Sequence, residues 1–142
     1  MEGSILNDIK KMLGLHADYT AFDQEIIIFI NSTLAILYQI GIGTTGYAIS
    51  SADDTWADYL GDSPLSAILG TIKSYIALKT RILWDPPASS TILQAFNEEA
   101  KRQEWYIYME ANPSPKASST DSEEETDSPY TGDENENRYL ES

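Results

Sequence analysis

The last thirty residues of this chain limit how much of it can fold. Between Pro113 and Ser142 the only large apolar residues are Tyr130, Tyr139 and Leu140. The same stretch has nine acidic and two basic residues and is rich in Ser, Asn and Pro. Such a composition buries too little apolar surface to offset the conformational entropy lost on folding. We therefore predict one folded domain over residues 1–112 and an extended acidic, low-complexity tail over residues 113–142.

The first two apolar segments predict helices. Ser4 is a candidate N-cap for the first, and Gly14 is placed to end it. The second begins near Asp18 or Thr20 and carries apolar residues at helical spacing as far as residue 40. Residues 26–30 have strong β-propensity and are compatible with a buried strand. The apolar period continues for five turns, beyond ordinary strand length, and this favours a helix.

The last two apolar segments predict longer helices with clear ends. Ser63 is the N-cap of one, and Pro64 takes its first position, where the missing N–H does no harm. The sequence Asp-Pro-Pro at 85–87 ends that helix, because proline disfavours helix in the residue before it. The last helix begins at Ser89 or Ser90 and runs to the start of the tail. The predicted fold is all-α, a small bundle of about four to five helices with a long loop.

The loop over residues 41–62 shows no sustained hydrophobic period. A short helical turn is predicted over residues 55–60, where it would bury Trp56 and Tyr59. Long loops in compact domains are often functional, and Trp and Tyr at such places are enriched at protein interfaces. Core and interface therefore remain equal interpretations for this pair.

Aromatic residues near segment ends supply the candidate functional residues. Trp105 is the exception, because we favour its alternative role, closing the end of a small core. As a hypothesis, the candidate protein-interaction residues are Trp56, Tyr59, Trp84, Tyr130, Tyr139 and Leu140.

The charge of the chain bears on nucleic-acid binding. Its formal net charge is −14. Proteins that grip DNA need clustered Lys and Arg to replace counterions along the phosphates, and here the basic residues are few and dispersed. An acidic wall is nevertheless compatible with a conduit through which DNA slides.

Catalytic and ligand-binding patterns are weak. The chain has no cysteine, and its single histidine, His16, has no nucleophile nearby in sequence. Residues 41–46 match G-x-G-x-x-G, but a helical segment precedes them where a dinucleotide fold requires a strand. The acidic residues of the long loop lack the spacing of a calcium loop; they are Asp53, Asp54, Asp58 and Asp62. We expect no enzymatic activity, cofactor or metal.

A membrane segment is not expected either. The most apolar run, residues 26–42, is short for a span and is interrupted by polar residues. The N-terminal residues lack the basic and apolar regions of a signal peptide.

The order and spacing of these segments resemble those of a known protein family. The segments are Leu13-Gly14-Leu15, an apolar helix over 23–40, Thr55-Trp56-Ala57-Asp58-Tyr59-Leu60-Gly61-Asp62, Ile72-Lys73-Ser74-Tyr75-Ile76-Ala77-Leu78-Lys79, Leu83-Trp84-Asp85-Pro86-Pro87-Ala88-Ser89 and Glu104-Trp105. Over residues 4–110 the chain resembles the head–tail connector, or head-completion, proteins of tailed bacteriophages.

The resemblance implies a structural virion protein at the head–tail interface, made in the host cytoplasm. Such proteins form homo-oligomeric rings, commonly dodecamers, beneath the portal protein. They extend the DNA channel used in genome ejection, without sequence-specific binding, and dock a tail or stopper protein. The family has no catalytic residues to carry over. The alternative is another small helical adaptor or scaffold with a different protein partner; neighbouring portal, capsid and tail genes would favour the connector.

Overall fold

The structure is a computed structural model that describes residues 3–61 and 63–113. These residues contain five α-helices. Within these residues there is no strand, only an isolated antiparallel bridge between Ser4 and Thr55. The all-α prediction is confirmed. The tail residues Tyr130, Tyr139 and Leu140 lie outside the described residues, and the boundary at residue 112 stays a prediction. The helices are α1 (Ile5–Met12), α2 (Asp23–Gln39), α3 (Trp56–Leu60), α4 (Leu69–Trp84) and α5 (Ser90–Ala111).

Local capping fixes both ends of α1, as predicted. The Ser4 hydroxyl accepts a hydrogen bond from the backbone N–H of Asn7 at 3.1 Å, which satisfies one of the free N–H groups of the first turn. At the other end Gly14 adopts φ +88°, a conformation that glycine takes without steric cost.

The start of α2 differs from the prediction. The helix begins at Asp23, and no side chain caps it. The reason is a tertiary contact: the buried ammonium of Lys10 binds the Asp23 carboxylate at 2.8 Å and the Ala17 carbonyl oxygen at 3.0 Å. These contacts hold residues 16–22 in turns between α1 and α2. Residues 26–30 are helical, so the strand alternative is wrong.

The predicted signals around α4 and α5 are confirmed with one refinement. The Ser63 hydroxyl accepts a hydrogen bond from Leu65 N–H at 3.0 Å. The turn that follows, Pro64–Ile68, is a 3-10 helix, and the α-helix proper begins at Leu69. It ends at Trp84, directly before the Asp-Pro-Pro sequence, and Ser89 then caps α5.

Helix α4 lies at the centre of the bundle, where it packs against α1, α2 and α5. The ends of the helices show how they run. Phe22 at the start of α2 contacts Trp84 at the end of α4, with ring centroids 5.5 Å apart. At the opposite end the Asn112 amide, just after α5, donates to the Ile40 carbonyl oxygen, just after α2, at 2.8 Å. Both α2 and α5 are therefore antiparallel to α4.

The core is mostly aliphatic. Burying one such side chain stabilises the fold by about 1.5–3 kcal/mol. The fully buried core side chains are Ile5, Ile9, Ile26, Ile30, Leu37, Ile42, Trp56, Ile72, Ile76 and Ile107. None of the helices in the described residues is long and apolar enough to cross a lipid bilayer.

Candidate interaction surfaces

Trp56 and Tyr59 lie in the core of the bundle. The predicted helical turn is α3, and it is closed by a capping box in which Thr55 and Asp58 bond each other's backbone N–H groups. Trp56 is fully buried and Tyr59 is 4% exposed. In this conformation neither side chain offers surface to a partner, and both act by fixing the loop to the helices.

The glycines of the G-x-G-x-x-G sequence serve backbone geometry. Gly41, Gly43 and Gly46 all have positive φ, at +110°, +86° and +76°. A Cβ on Gly43 would lie 2.7 Å from Cε1 of Tyr59, so the loop passes too close to that ring for any side chain. The sequence follows helix α2 and leads into loop, not into a helix.

Two tyrosines beside this loop have buried hydroxyls. The rings of Tyr47 and Tyr59 lie 5.1 Å apart, and neither hydroxyl has a hydrogen-bond partner among the described residues. Burial, followed by the charge of Asp54 and Asp58, raises the pKa of Tyr47 to about 12. Burial, followed by the neighbouring Tyr47, also raises the pKa of Tyr59 well above its ordinary value. Both phenols are therefore held neutral.

Two aspartates of the long loop, Asp54 and Asp58, accept hydrogen bonds from its backbone. Asp54 accepts hydrogen bonds from Ser50 and Ser51 N–H groups at 2.7 and 3.2 Å, and Asp58 closes the capping box. Within residues 3–61 and 63–113, no three His, Asp or Glu side chains are grouped so that they could hold a metal ion. Asp62 lies outside the described residues.

Trp84 is half-buried against the core and joins a partly exposed aromatic cluster. Its ring meets Phe22 edge-to-face, and Phe22 meets Tyr19 in the same way at 5.7 Å. Leu83 beside it is about half exposed, as is Tyr19. We call this surface the Trp84 patch; it comprises Tyr19, Phe22, Leu83 and Trp84.

A second exposed apolar surface lies on α5. Trp105 is 63% exposed and stacks on Tyr108, with ring centroids 5.8 Å apart and an interplanar angle of 23°. The interpretation of Trp105 as a core residue is wrong. Helix α5 faces the bundle with Ile107, and a residue two positions away points about 200° around the helix axis. We call this surface the Trp105 patch; it comprises Trp105, Tyr106, Tyr108 and Met109.

Polar contacts between α4 and α5 fix the orientation of the Trp105 patch. The Tyr75 hydroxyl donates to Oε2 of Glu104 at 2.8 Å, and the Gln103 amide donates to Oγ of Ser74 at 3.1 Å. Burial, and then the hydrogen bond to Glu104, raise the pKa of Tyr75 above its ordinary range. Because residues 103 and 104 are held toward α4, Trp105 is directed outward.

The two patches lie at opposite ends of α4. Thr71, near the start of α4, lines a shallow depression together with Trp105, Tyr106 and Met109. Trp84 is the last residue of the same helix. Thirteen residues of α-helix span roughly 20 Å, so the bundle presents two separate aromatic surfaces.

Comparison with known families decides what kind of protein carries these surfaces. A family model described as "Phage connector protein" matches residues 5–114. The chain belongs to this phage connector family. The matched residues include all five helices of the described part of the chain. The match confirms the resemblance to head–tail connector proteins. It also supports a head–tail connector role and a place among virion components. No curated protein and no solved structure gives a significant match.

Proposed function

We propose that this connector is a ring subunit that sits beneath the portal protein, extends the DNA channel and docks a tail or stopper protein. The observation that carries this proposal is the family match, which covers the whole helical bundle. The ring, its portal contact and its site at the head–tail interface are the parts that go beyond family membership.

Two unlike apolar surfaces support a ring. Subunits in a ring contact one another head-to-tail, so each needs two different patches that complement each other. The Trp84 and Trp105 patches provide two such surfaces at separate ends of α4. Large exposed apolar patches on a small protein are characteristic of interaction sites.

The charge of the chain supports passive conduction of DNA. With 23 acidic and nine basic residues, the connector replaces few phosphate counterions. A channel wall of this kind repels the phosphate backbone, and DNA then moves past it without being held.

We propose no catalytic role for the connector. Its only histidine, His16, is exposed in the turn between α1 and α2 and makes no side-chain hydrogen bond with a described residue. Its most perturbed phenols, Tyr47, Tyr59 and Tyr75, are kept neutral by burial and serve packing.

Association with capsids tests the proposal. Purified connector is mixed with DNA-filled capsids that carry portal protein and sedimented; capsids assembled without portal are the matched control. We expect the connector to cosediment with the portal-bearing capsids alone. Equal recovery with both capsid types, or with neither, would contradict a role beneath the portal.

A further inference from the structure

We propose that one water molecule binds inside the long loop and bridges the hydroxyls of Tyr47 and Tyr59. The inference goes beyond the proposed function and does not depend on it. The ligand is water held at one fixed site, and its role is to join the two tyrosines.

The observation behind the proposal is a pair of buried hydroxyls in one aromatic contact. The hydroxyl oxygens of Tyr47 and Tyr59 are both shielded from solvent, and neither has a hydrogen-bond partner among the described residues. The rings lie 5.1 Å apart with an interplanar angle of 34°, and Tyr59 is only 4% exposed. Buried hydroxyls are normally paired with protein groups or ordered water, because an unpaired one loses its hydration without compensation. Two unpaired hydroxyls in the same contact point to one shared partner.

Thr80 shows how these two hydroxyls differ from other buried hydroxyls of the bundle. Its hydroxyl on α4 is also buried and unpaired, but a threonine in a helix can turn its hydroxyl to the carbonyl oxygen four residues earlier. Thr33 on α2 makes this bond, to the Phe29 carbonyl oxygen at 3.0 Å. A tyrosine hydroxyl is fixed at the end of a rigid ring, so its position is set by the packing of that ring.

Packing holds the Tyr59 ring in place. Its centroid lies 6.5 Å from that of Trp56, and Trp56 is itself held by the hydrogen bond to Asp8. On another side, the ring is so close to Gly43 that a Cβ there would lie 2.7 Å from Cε1 of Tyr59. A ring confined in this way does not move to a protein acceptor, so the partner has to come to the hydroxyl.

The surrounding charges select a neutral ligand. Asp54 and Asp58 lie close enough to help raise the pKa of Tyr47 to about 12, after burial, and their charge disfavours an anion. No group of three acidic or histidine side chains able to hold a metal ion occurs in residues 3–61 and 63–113. Both phenols stay protonated, so each can donate and accept hydrogen bonds. Water also does both, and it is small enough for a closely packed site.

A bridging water completes the attachment of the loop. Two residues after Tyr47, the N–H and C=O of Ile49 bind the Asn31 side chain of α2 at 2.8 and 3.0 Å. The loop is thus held by Asn31 on one side and, through the water, by Tyr59 of α3 on the other. Removal of either hydroxyl takes one bond from the water and leaves the other tyrosine less well paired.

Phenylalanine substitutions test the bridge, because the sign of the stability change depends on it. Tyr47→Phe, Tyr59→Phe and the double variant are unfolded in urea at pH 7, where both phenols are protonated. We expect each single variant to unfold at a lower urea concentration than the natural chain. The double variant should lose less than the sum of the two. Tyr19→Phe, at a half-exposed ring outside this contact, is the control and should leave the midpoint unchanged. A higher midpoint for either single variant would overturn the inference, because removing an unpaired buried hydroxyl stabilises the fold.

A direct hydrogen bond between the two hydroxyls would give the same sign, so the water itself has to be seen. A crystal structure at a resolution that shows ordered water should contain a density peak roughly 2.8 Å from both hydroxyl oxygens. The peak should be missing from the double variant. Hydroxyls bonded directly to each other, or a water bonded to one of them alone, would show that the inference is wrong.

Discussion

Trp56 donates its indole N–H to the Asp8 carboxylate at 2.7 Å, across 48 residues of sequence. The ammonium of Lys73 lies 3.1 Å from the same carboxylate oxygen and 5.2 Å from the centroid of the indole ring. One contact group thus joins α1, α3 and α4. It holds the long loop against the bundle together with the hydrogen bonds that Asn31 of α2 makes to the backbone of Ile49.

Loss of this hydrogen bond should destabilise the connector. Trp56→Phe keeps a buried ring but removes the donor to a charged acceptor, and we expect a loss of about 1.5–3 kcal/mol in the free energy of unfolding. Urea unfolding measures it, with Trp84→Phe at the partly exposed patch as the control. A double-mutant cycle with Asp8→Ala should show coupling, and strictly additive losses would contradict a direct contact.

Removing Asp23 from its buried ion pair with Lys10 should cost more stability than removing Lys10. Asp23→Ala leaves a fully buried ammonium without its carboxylate, and we expect a cost of about 3–5 kcal/mol. Lys10→Met removes the buried charge itself and should cost less. Thermal unfolding of both variants checks the order, with exposed Lys11→Met as the control. The reverse order would show that the pair stabilises mainly through Lys10 packing.

Alanine substitutions at two glycines of the long loop distinguish the cost of backbone strain from the cost of steric crowding. Gly43→Ala and Gly46→Ala both place a Cβ at positive φ, which costs about 1–2 kcal/mol. Only at Gly43 does the new Cβ also meet the Tyr59 ring; at Gly46 nothing lies within 4 Å. We expect the Gly43 variant to lose clearly more stability in urea unfolding. Equal losses would mean that the loop moves away from Tyr59 freely.

The exposed Trp105 should matter for assembly and not for folding. Trp105→Ala removes a side chain that makes little core contact, so the melting temperature should change little. Recovery with portal-bearing capsids should fall. Ile28→Ala is the matched control, because Ile28 on α2 is 60% exposed but belongs to neither patch. A large drop in melting temperature for the Trp105 variant would contradict its surface role.

Alkaline pH should unfold the connector through its buried tyrosines. In the folded state the pKa of Tyr47 is about 12, above the ordinary value of 10.0, so the folded state holds the proton more tightly. The resulting stability is fully present below pH 10 and is lost as pH rises from 10 toward 12. Ultraviolet titration of tyrosinate together with circular dichroism measures this. Tyr47→Phe should shift the unfolding transition to higher pH, and an unchanged transition would contradict the assignment.

Local signals predicted the helix ends well. Ser4, Ser63 and Ser89 cap the helices that their positions indicated, because a cap depends on residues two or three positions away. The start of α2 could not be found in this way. It is set by Lys10, on another helix, and that pairing has no local pattern.

The aromatic surfaces were harder to assign for the same reason. Whether Trp56 or Trp105 is buried depends on which helix faces meet, and residue type does not decide it. One signal was present: Trp105 follows Lys101 and Arg102 by one helical turn, so it shares a face with charged residues. The outward position of Trp105 follows from that periodicity, whereas the Asp8 partner of Trp56 does not.

The pairing of Ser4 with Thr55 has a consequence for synthesis. Ile5 N–H donates to the Asp54 carbonyl oxygen, and Trp56 N–H donates to that of Gly3, so the first helix is closed by residues made fifty positions later. Its buried face also packs on α4, which is complete only at residue 84. During synthesis α1 can therefore meet α2 early, but it lacks the loop residues that close its start and the helix α4 that covers its buried face until more than half of the chain has emerged. We therefore expect the connector to fold slowly for a helical protein of its size, because these contacts join residues far apart in sequence.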